Sequence, residues 1–193
     1  MSDAFVEPWL APRAPIEDMV LPSASELAIK EAAPADRFIF RGDEAARAAC
    51  SSAFGAELPA RLGAAGKGKN CAALWLGPDE WLLIHEGDDP VMFPTRIGLA
   101  LESHPYSLVD VSSRQLALVI SGANAARALS AGCPLDLDLK TFLVGMATRT
   151  IFEKAEIVLW RRGETEFQVE VWRSFAPYLV AALIEAARDA PDF

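Results

Sequence analysis

The sequence predicts an α+β protein made of duplicated β-α-β units, with antiparallel sheets and packed helices. Three observations lead to this prediction. A motif of strand, glycine turn and alanine-rich helix occurs twice, each copy is followed by a hairpin signal, and each hairpin is followed by a helical pattern. Two β-rich halves that each carry two helices and share one core belong to the α+β class.

The repeat becomes visible when Gly42 is aligned with Gly122, an offset of 80 residues. The segment RFIFRGDEAARAA then falls on LALVISGANAARAL. Each copy has a short β-branched or aromatic strand, a glycine turn, and a polar residue, Asp43 or Asn124, near the start of a helix. Because these helices are rich in alanine, they can lie close to a sheet.

Each copy is followed by a predicted hairpin. In LWLGPDEWLLIH, residues 77–80 form the turn between strands at 74–76 and 81–85. In VLWRRGETEFQVEV, residues 163–166 form the turn. Proline in or near the first turn then predicts a helix after each hairpin, at about residues 89–102 and 174–188.

The second strand of the later hairpin alternates in polarity. Phe167, Val169 and Val171 are separated by Gln168 and Glu170. A period of two with one polar face predicts a half-buried antiparallel strand, with the two polar side chains directed toward solvent.

The predicted organisation is an extended N-terminal arm, residues 1–24, followed by a single domain, residues 25–193. That domain contains two pseudo-repeats at about residues 25–104 and 105–190. The separation of about 80 residues between equivalent elements indicates that the halves pack against each other.

Composition excludes several classes of function. The net charge is -9, with the acids spread along the chain, so nucleic acid is not an expected partner. No window approaches 18 apolar residues, which excludes a membrane-spanning helix, and the N-terminus holds acids and prolines where a signal peptide needs a basic start. We therefore expect a cytoplasmic protein without membrane contact.

The residues that most often bind metals or act as nucleophiles are scarce. Cys50, Cys71 and Cys133 are far apart and are interpreted as small buried side chains rather than a disulfide or a thiol nucleophile. The two histidines, His85 and His104, are expected at a strand end or the surface. No catalytic, cofactor-binding or metal-binding residue is predicted in this chain.

Three groups of polar residues have separate interpretations. Asp110 and the serines after it are expected to satisfy backbone N–H groups in a turn, because no histidine or lysine lies beside them to activate a serine. Arg149 and the Arg161–Arg162 pair are the candidates for contacting an anion such as a folate glutamate tail or an acidic partner, although a solvated arginine is the simpler interpretation. The segment AELPARLGAAGKGKN, residues 56–70, is expected to be a mobile surface loop, because its glycines precede a strand instead of following one.

The N-terminal arm combines apolar residues with prolines that prevent helix and ladder formation. Its apolar side chains must therefore either fold back over their own domain or dock into another chain. We expect docking into a partner, with Phe5, Trp9 and Leu10 as the candidate partner-binding residues.

DVSSRQLALVISGANAARAL, residues 110–129, resembles the folate-binding domain of aminomethyltransferases, the T-protein class of the glycine cleavage system. Within that superfamily, the LWLGPDEWLL hairpin and the segment GMATRTIFEKAEIVLWRRGETEFQVEVWRSFAPYL resemble the gamma subunits of heterotetrameric sarcosine oxidases. The resemblance covers roughly residues 25–188, and it implies the folate-binding aminomethyltransferase-like fold.

The resemblance also implies that a catalytic site has been lost. Active aminomethyltransferase domains carry, between two of these strands, a longer loop with paired glycines and paired aspartates. Here residues 152–157 form a shorter join without aspartate. Glu153 and Glu156 are expected to be solvated hairpin charges that face no pocket.

By resemblance, the chain is a non-catalytic subunit of an assembly that converts sarcosine to glycine with O₂ and tetrahydrofolate. The FAD, FMN, NAD and tetrahydrofolate sites of such an assembly are expected on its other subunits, alpha, beta and delta. This chain shows no G-x-G-x-x-G fingerprint. The alternatives are a stand-alone folate-dependent aminomethyl or formaldehyde transferase and a self-associating binding module.

Overall fold

The computed structural model describes residues 15–87 and 92–188. Its elements, in chain order, are β1 (Ala28–Glu31), β2 (Asp36–Gly42), α1 (Glu44–Phe54), β3 (Ala65–Lys67), β4 (Cys71–Gly77), β5 (Glu80–His85), α2 (Met92–Ala100), β6 (Tyr106–Asp110), β7 (Gln115–Ser121), α3 (Ala125–Ser130), β8 (Ala147–Phe152), β9 (Ala155–Gly163), β10 (Glu166–Trp172) and α4 (Ala176–Arg188). A 3₁₀ turn, Arg173–Phe175, leads into α4.

The strands form two five-stranded antiparallel sheets. Sheet I has the order β6-β2-β5-β4-β3, and sheet II has the order β1-β7-β10-β9-β8. Both predicted hairpins are present, as β4 with β5 and as β9 with β10. The predicted α+β class, with antiparallel sheets and packed helices, is confirmed.

The first strand of each half of the chain, β1 or β6, joins the sheet of the other half. β1 precedes β2 in the chain yet pairs with β7 in sheet II, and β6 precedes β7 yet pairs with β2 in sheet I. A four-residue link follows each exchanged strand. The backbone N–H of Ala32 donates to Ala117 (2.8 Å), and the equivalent N–H of Val111 donates to Arg37 (2.8 Å). Each half of the chain therefore completes the sheet of the other half.

The core has three parts, arranged as helix, sheet, sheet and helix layers. One cluster joins α1 and α2 to sheet I and includes Phe40 and Trp81. A second joins α3 and α4 to sheet II and includes Phe167 and Leu183. A third lies between the sheets, with members from β4, β5, β8 and β9. Both faces of the central strands are therefore covered.

Because both faces of β10 are covered, the prediction that its polar side chains face solvent is wrong. Gln168 is 2% exposed and Glu170 is 1% exposed. The alternation in the sequence reflects two different buried environments, an apolar one under α3 and α4 and a polar one facing sheet I.

The two copies of the strand-turn-helix motif begin their helices differently. Asp43 caps α1, because its carboxylate accepts the backbone N–H of Ala46 at 2.8 Å. Asn124 makes no such side-chain bond at the start of the shorter α3. Its backbone N–H instead donates to Glu26, in the segment before β1 (2.8 Å). The segment that leads into the exchanged strand thus takes part in positioning the start of α3.

Two further expectations change. Within the segment expected to be a mobile loop, residues 65–67 form β3, which pairs with β4. In the described part of the N-terminal arm, Ile16 is 4% exposed and belongs to the core under sheet II. The expectation of docking into a partner is therefore wrong for Ile16, which folds back over its own domain. In the described part of the chain, no helix is long and apolar enough to cross a membrane.

The exchange leads to a test at Gly122, where the backbone has φ +117. A Cβ there would lie 2.5 Å from the carbonyl oxygen of Glu26. Gly145 is the matched control, because it has φ +91 but a Cβ added there would meet no heavy atom within 4 Å. Gly145→Ala should lower the free energy of unfolding by about 1–2 kcal/mol from backbone strain alone. Gly122→Ala should lower it by ~3 kcal/mol or more, because the chain before β1 must also move.

Urea unfolding of both variants measures the difference. Equal losses would show that close packing of the exchanged segment against β7 contributes nothing beyond the strain of the turn.

Candidate functional site between the two sheets

A buried ion pair links the two sheets. Arg37 on β2 donates its Nε–H to Oε2 of Glu170 on β10 at 2.5 Å, and its Nη2 lies 3.4 Å from Oε1. The side chains are 6% and 0% exposed. Arg37 Nη1 also donates to the carbonyl of Ala35 at 2.7 Å. A buried pair is tolerated only when such additional bonds satisfy both charged groups.

The pair continues into a chain of side-chain hydrogen bonds. Gln168 Nε2 donates to Glu170 Oε1 at 2.7 Å, and Arg162 Nη1 donates to Gln168 Oε1 at 3.0 Å. Polar contacts therefore run from the centre of the sandwich to Arg162, which is half-buried near the surface.

Glu170 is a buried carboxylate that the sequence analysis placed at the surface. Whether it could act as a general base depends on its hydrogen bonds. Both of its oxygens accept bonds from Arg37, and one also accepts from Gln168. A general base must have a lone pair within reach of a substrate proton. Glu170 is engaged on both oxygens and acts as a structural link.

The join between β8 and β9 contains Glu153, which has a positive φ of 50 and an exposed side chain. Its carboxylate accepts the hydroxyl of Tyr178 on α4 at 2.6 Å. That hydrogen bond raises the pKa of Tyr178 above its usual value. Glu153 borders a surface depression of about 420 Å³ beside α4. Its carboxylate is exposed, in agreement with the expected solvated hairpin charge, and it fastens α4 to the join.

Glu156, the other acid of the join, borders a cleft of about 340 Å³ between the sheets, which was not expected. Its side chain is 60% exposed, in agreement with a solvated hairpin charge. Arg149 Nη2 contacts Glu80 at 2.6 Å, and its Nε lies 4.0 Å from Glu156. Arg149 is 38% exposed, in agreement with a solvated arginine, and it is also the partner of Glu80 within the chain. Gln115 also lines this cleft, and its buried Oε1 has no hydrogen-bond partner within the described structure.

The predicted turn at Asp110 is confirmed. Its Oδ1 accepts the backbone N–H of Ser112 at 2.8 Å. The Ser112 hydroxyl accepts the backbone N–H of Arg37 at 2.9 Å. These bonds hold the link after β6 against β2 and leave the serine in a structural role.

Arg161 and Arg162 have different environments. Arg161 is 2% exposed, donates to the carbonyls of Leu137 and Phe142 at 2.9 and 2.7 Å, and has its pKa lowered by burial. Its interpretation as a solvated or anion-contacting residue is wrong. Arg162 borders a second opening between the sheets, a pocket of about 210 Å³ at the end opposite Glu156.

The three cysteines, all within the described residues, are buried or half-buried. Burial raises the pKa of Cys50 to about 12 and also raises that of Cys71. Cys133 is buried, as expected, whereas Cys71 is only half-buried. The ring of His85 stacks on Phe93 with 4.9 Å between centroids, so it is not a free surface side chain. Within residues 15–87 and 92–188, no three His, Cys, Asp or Glu side chains are grouped as a metal site.

The candidate partner-binding residues Phe5, Trp9 and Leu10 lie outside the described residues. Their role stays a prediction.

Comparison with known proteins decides the family. A profile of the family described as "Sarcosine oxidase, gamma subunit family" matches residues 41–189. The chain belongs to the sarcosine oxidase gamma subunit family. It is 38% identical over 140 residues to the sarcosine oxidase subunit gamma of Corynebacterium sp. (strain U-96), covering 72% of this chain and 67% of that protein. It is 35% identical over 144 residues to the sarcosine oxidase subunit gamma of Arthrobacter sp., covering 74% of this chain and 70% of that protein.

Solved structures agree with this family. A chain of the heterotetrameric sarcosine oxidase from Corynebacterium sp. U-96, in complex with pyrrole 2-carboxylate, superimposes with a TM-score of 0.85 at 28% identity, covering 94% of this chain and 98% of that one. The glycine cleavage system aminomethyltransferase T from Bartonella henselae superimposes with a TM-score of 0.63 at 11% identity, covering 85% of this chain and 47% of that one. This second likeness shows the shared fold alone, which confirms the aminomethyltransferase-like architecture of a gamma-family chain.

Substitution of the inter-sheet ion pair should reveal strong coupling. Glu170→Leu or Arg37→Met alone should lower the free energy of unfolding by about 3–5 kcal/mol, because each leaves a buried charge without its partner. The double variant should lose much less than the sum of the two single losses.

Urea unfolding of the unaltered chain, the two single variants and the double variant completes this double-mutant cycle. Additive losses would mean that Arg37 and Glu170 stabilise the sandwich independently.

Proposed function

We propose that this chain is a non-catalytic subunit of a heterotetrameric sarcosine oxidase, with a structural role in assembly. The assembly would oxidatively demethylate sarcosine to glycine with O₂ and tetrahydrofolate. Membership of the sarcosine oxidase gamma subunit family and the TM-score of 0.85 to a chain of such an assembly support the proposal.

The non-catalytic part of the proposal is supported by where the acids lie. Glu170 is engaged by Arg37 and Gln168. The two acids of the cleft, Glu80 and Glu156, share Arg149. Arg149 holds Glu80 at 2.6 Å, and Glu156 is 60% exposed and therefore screened by water. This arrangement does not fit a cofactor-binding site that relies on a buried free carboxylate.

The assembly part is supported by an aromatic surface, which we define as Trp172, Phe175 and Tyr178. These side chains are 41%, 42% and 38% exposed, and they fall within seven residues at the junction of β10 and α4. Exposed aromatic rings are enriched at the centres of protein interfaces and often carry much of the binding energy. The aromatic surface is therefore the contact proposed for a partner subunit.

The finer assignments belong to the same proposal. FAD, FMN, NAD and tetrahydrofolate would bind on other subunits, and the contacts would be with the alpha, beta or delta subunits. The N-terminal residues Phe5, Trp9 and Leu10 would form a second contact. The domain division at residues 24 and 104 and the cytoplasmic location also stay predictions.

Copurification with the other subunits tests the assembly role. The tagged full-length chain, coexpressed with them, should recover heavier polypeptides with flavin absorbance. Phe175→Glu should weaken recovery about tenfold or more, because a charge would replace an interface ring. Leu99→Glu is the matched control, since Leu99 is 66% exposed on α2, away from this surface. Trp9→Glu tests the arm in the same assay.

Equal recovery with Phe175→Glu and Leu99→Glu would remove the aromatic surface from the proposal. Recovery of the unaltered chain without any flavin-bearing partner would contradict the subunit role itself and favour the self-associating module.

A stand-alone folate-dependent aminomethyltransferase is the other candidate, and it rests on the likeness of fold. Titration of the purified full-length chain with tetrahydrofolate, followed by calorimetry, distinguishes it. We expect no binding at micromolar concentrations, because Arg149 holds Glu80 and Glu156 is open to solvent. Saturable micromolar binding would favour the transferase over the structural subunit.

A further inference from the structure

We propose that the pocket beside Trp160 binds a small oxyanion of the phosphate class. This pocket, of about 210 Å³, is lined among others by Lys67, Lys69, Asn70, Glu86, Trp160 and Arg162. We call it the Trp160 pocket. The inference does not depend on the subunit role proposed above.

The first support is charge. The chain as a whole carries a net charge of -9. The lining of the Trp160 pocket nevertheless combines three cationic side chains with one acid, Glu86. Arg162 also lies 3.7 Å from Glu166, a pair in which the carboxylate is 43% exposed and therefore screened by water. The pocket is thus locally positive on an acidic protein.

The second support is that two of the three cations, Lys67 and Arg162, are held against one ring. Lys67 Nζ lies 4.8 Å from the centroid of the Trp160 ring, and the Arg162 guanidinium lies 5.3 Å from the same ring. Trp160 is 3% exposed, so the ring is a fixed platform for both. Arg162 is further fixed through Gln168 to the Glu170 carboxylate. Two like charges held at one ring repel each other, and a bound anion relieves that repulsion.

The third support is the backbone that carries the lysines. The N–H of Gly68 donates to the carbonyl of Cys71 at 2.8 Å, which closes the turn between β3 and β4. A Cβ on Gly68 would lie 2.2 Å from the carbonyl oxygen of Gly55, so this turn packs directly on the end of α1. Lys67 and Lys69 therefore extend from an anchored turn instead of a loose loop.

An unsatisfied polar atom accompanies these cations. The indole Nε1 of Trp160 is buried without a hydrogen-bond partner among the described residues. A buried donor that lacks an acceptor is costly. The pocket wall therefore combines three cations with a residue whose N–H lacks an acceptor.

The size and the donor types select the ligand class. A volume of about 210 Å³ suits an inorganic oxyanion or the phosphate group of an ester whose remainder stays outside. Lysine ammonium groups bind phosphate as point charges, and arginine presents a planar set of donors to its oxygens.

Titration of the full-length chain with inorganic phosphate at low ionic strength, followed by calorimetry, tests the proposal. Binding should be saturable and should weaken roughly tenfold or more in the double variant Lys67→Gln/Lys69→Gln, which loses two charge-assisted contacts. The matched control is Lys140→Gln/Lys154→Gln, which removes the same charge from exposed positions away from the pocket and should bind like the unaltered chain.

Indole N–H resonances of the ¹⁵N-tryptophan-labelled chain provide a second readout. One resonance should shift with added phosphate and should not shift in Lys67→Gln/Lys69→Gln. Ribose 5-phosphate in a parallel titration distinguishes the sources: tighter binding than inorganic phosphate would assign the site to an ester, and weaker binding would assign it to the free ion. Absence of saturable binding of either probe, or equal loss in both double variants, would overturn the proposal.

Discussion

The reciprocal exchange of β1 and β6 is the constraint on which the rest of this fold depends. Each strand leaves the sheet of its own half after a four-residue link and pairs at the edge of the other sheet. The two sheets are consequently held face to face, because neither can move away without breaking a strand pairing. The polar side chains at the centre of β10, Gln168 and Glu170, are buried as a result of this connection.

Burial of that layer decides the chemistry available to the chain. Glu170 is the most buried carboxylate among the described residues, and Arg37 from the opposite sheet occupies both of its oxygens. Glu170 lines neither of the two openings between the sheets, so it is not placed to exchange a proton with a ligand there. The ion pair is therefore consistent with a scaffold, and the same pairing extends through Gln168 to orient Arg162.

Sequence reasoning predicted the features that are determined locally. The hairpin turns, the Asp43 cap and the Asp110 turn each depend on residues a few positions apart, and all are present. The exchange of strands could not be predicted, since the strand order depends on contacts across about 80 residues. For the same reason Gln168 and Glu170 looked solvent-facing, although sheet I covers them, and Ile16 looked available to a partner, although it packs under sheet II.

The two ends of the inter-sheet layer show how one architecture produces two kinds of surface. At the end near the β4–β5 turn, Arg149 lies between Glu80 and Glu156, so opposite charges are matched within the chain. At the other end, Lys67 and Arg162 approach the same indole, and the three cations that line the pocket outnumber its one lining acid, Glu86. Matched charges stabilise the chain by itself, whereas the unmatched end gains most from an anion that the chain does not contain. The asymmetry follows from the side chains on two equivalent edge hairpins, since the β3–β4 hairpin carries Lys67 and Lys69 whereas the β8–β9 hairpin carries Glu153 and Glu156.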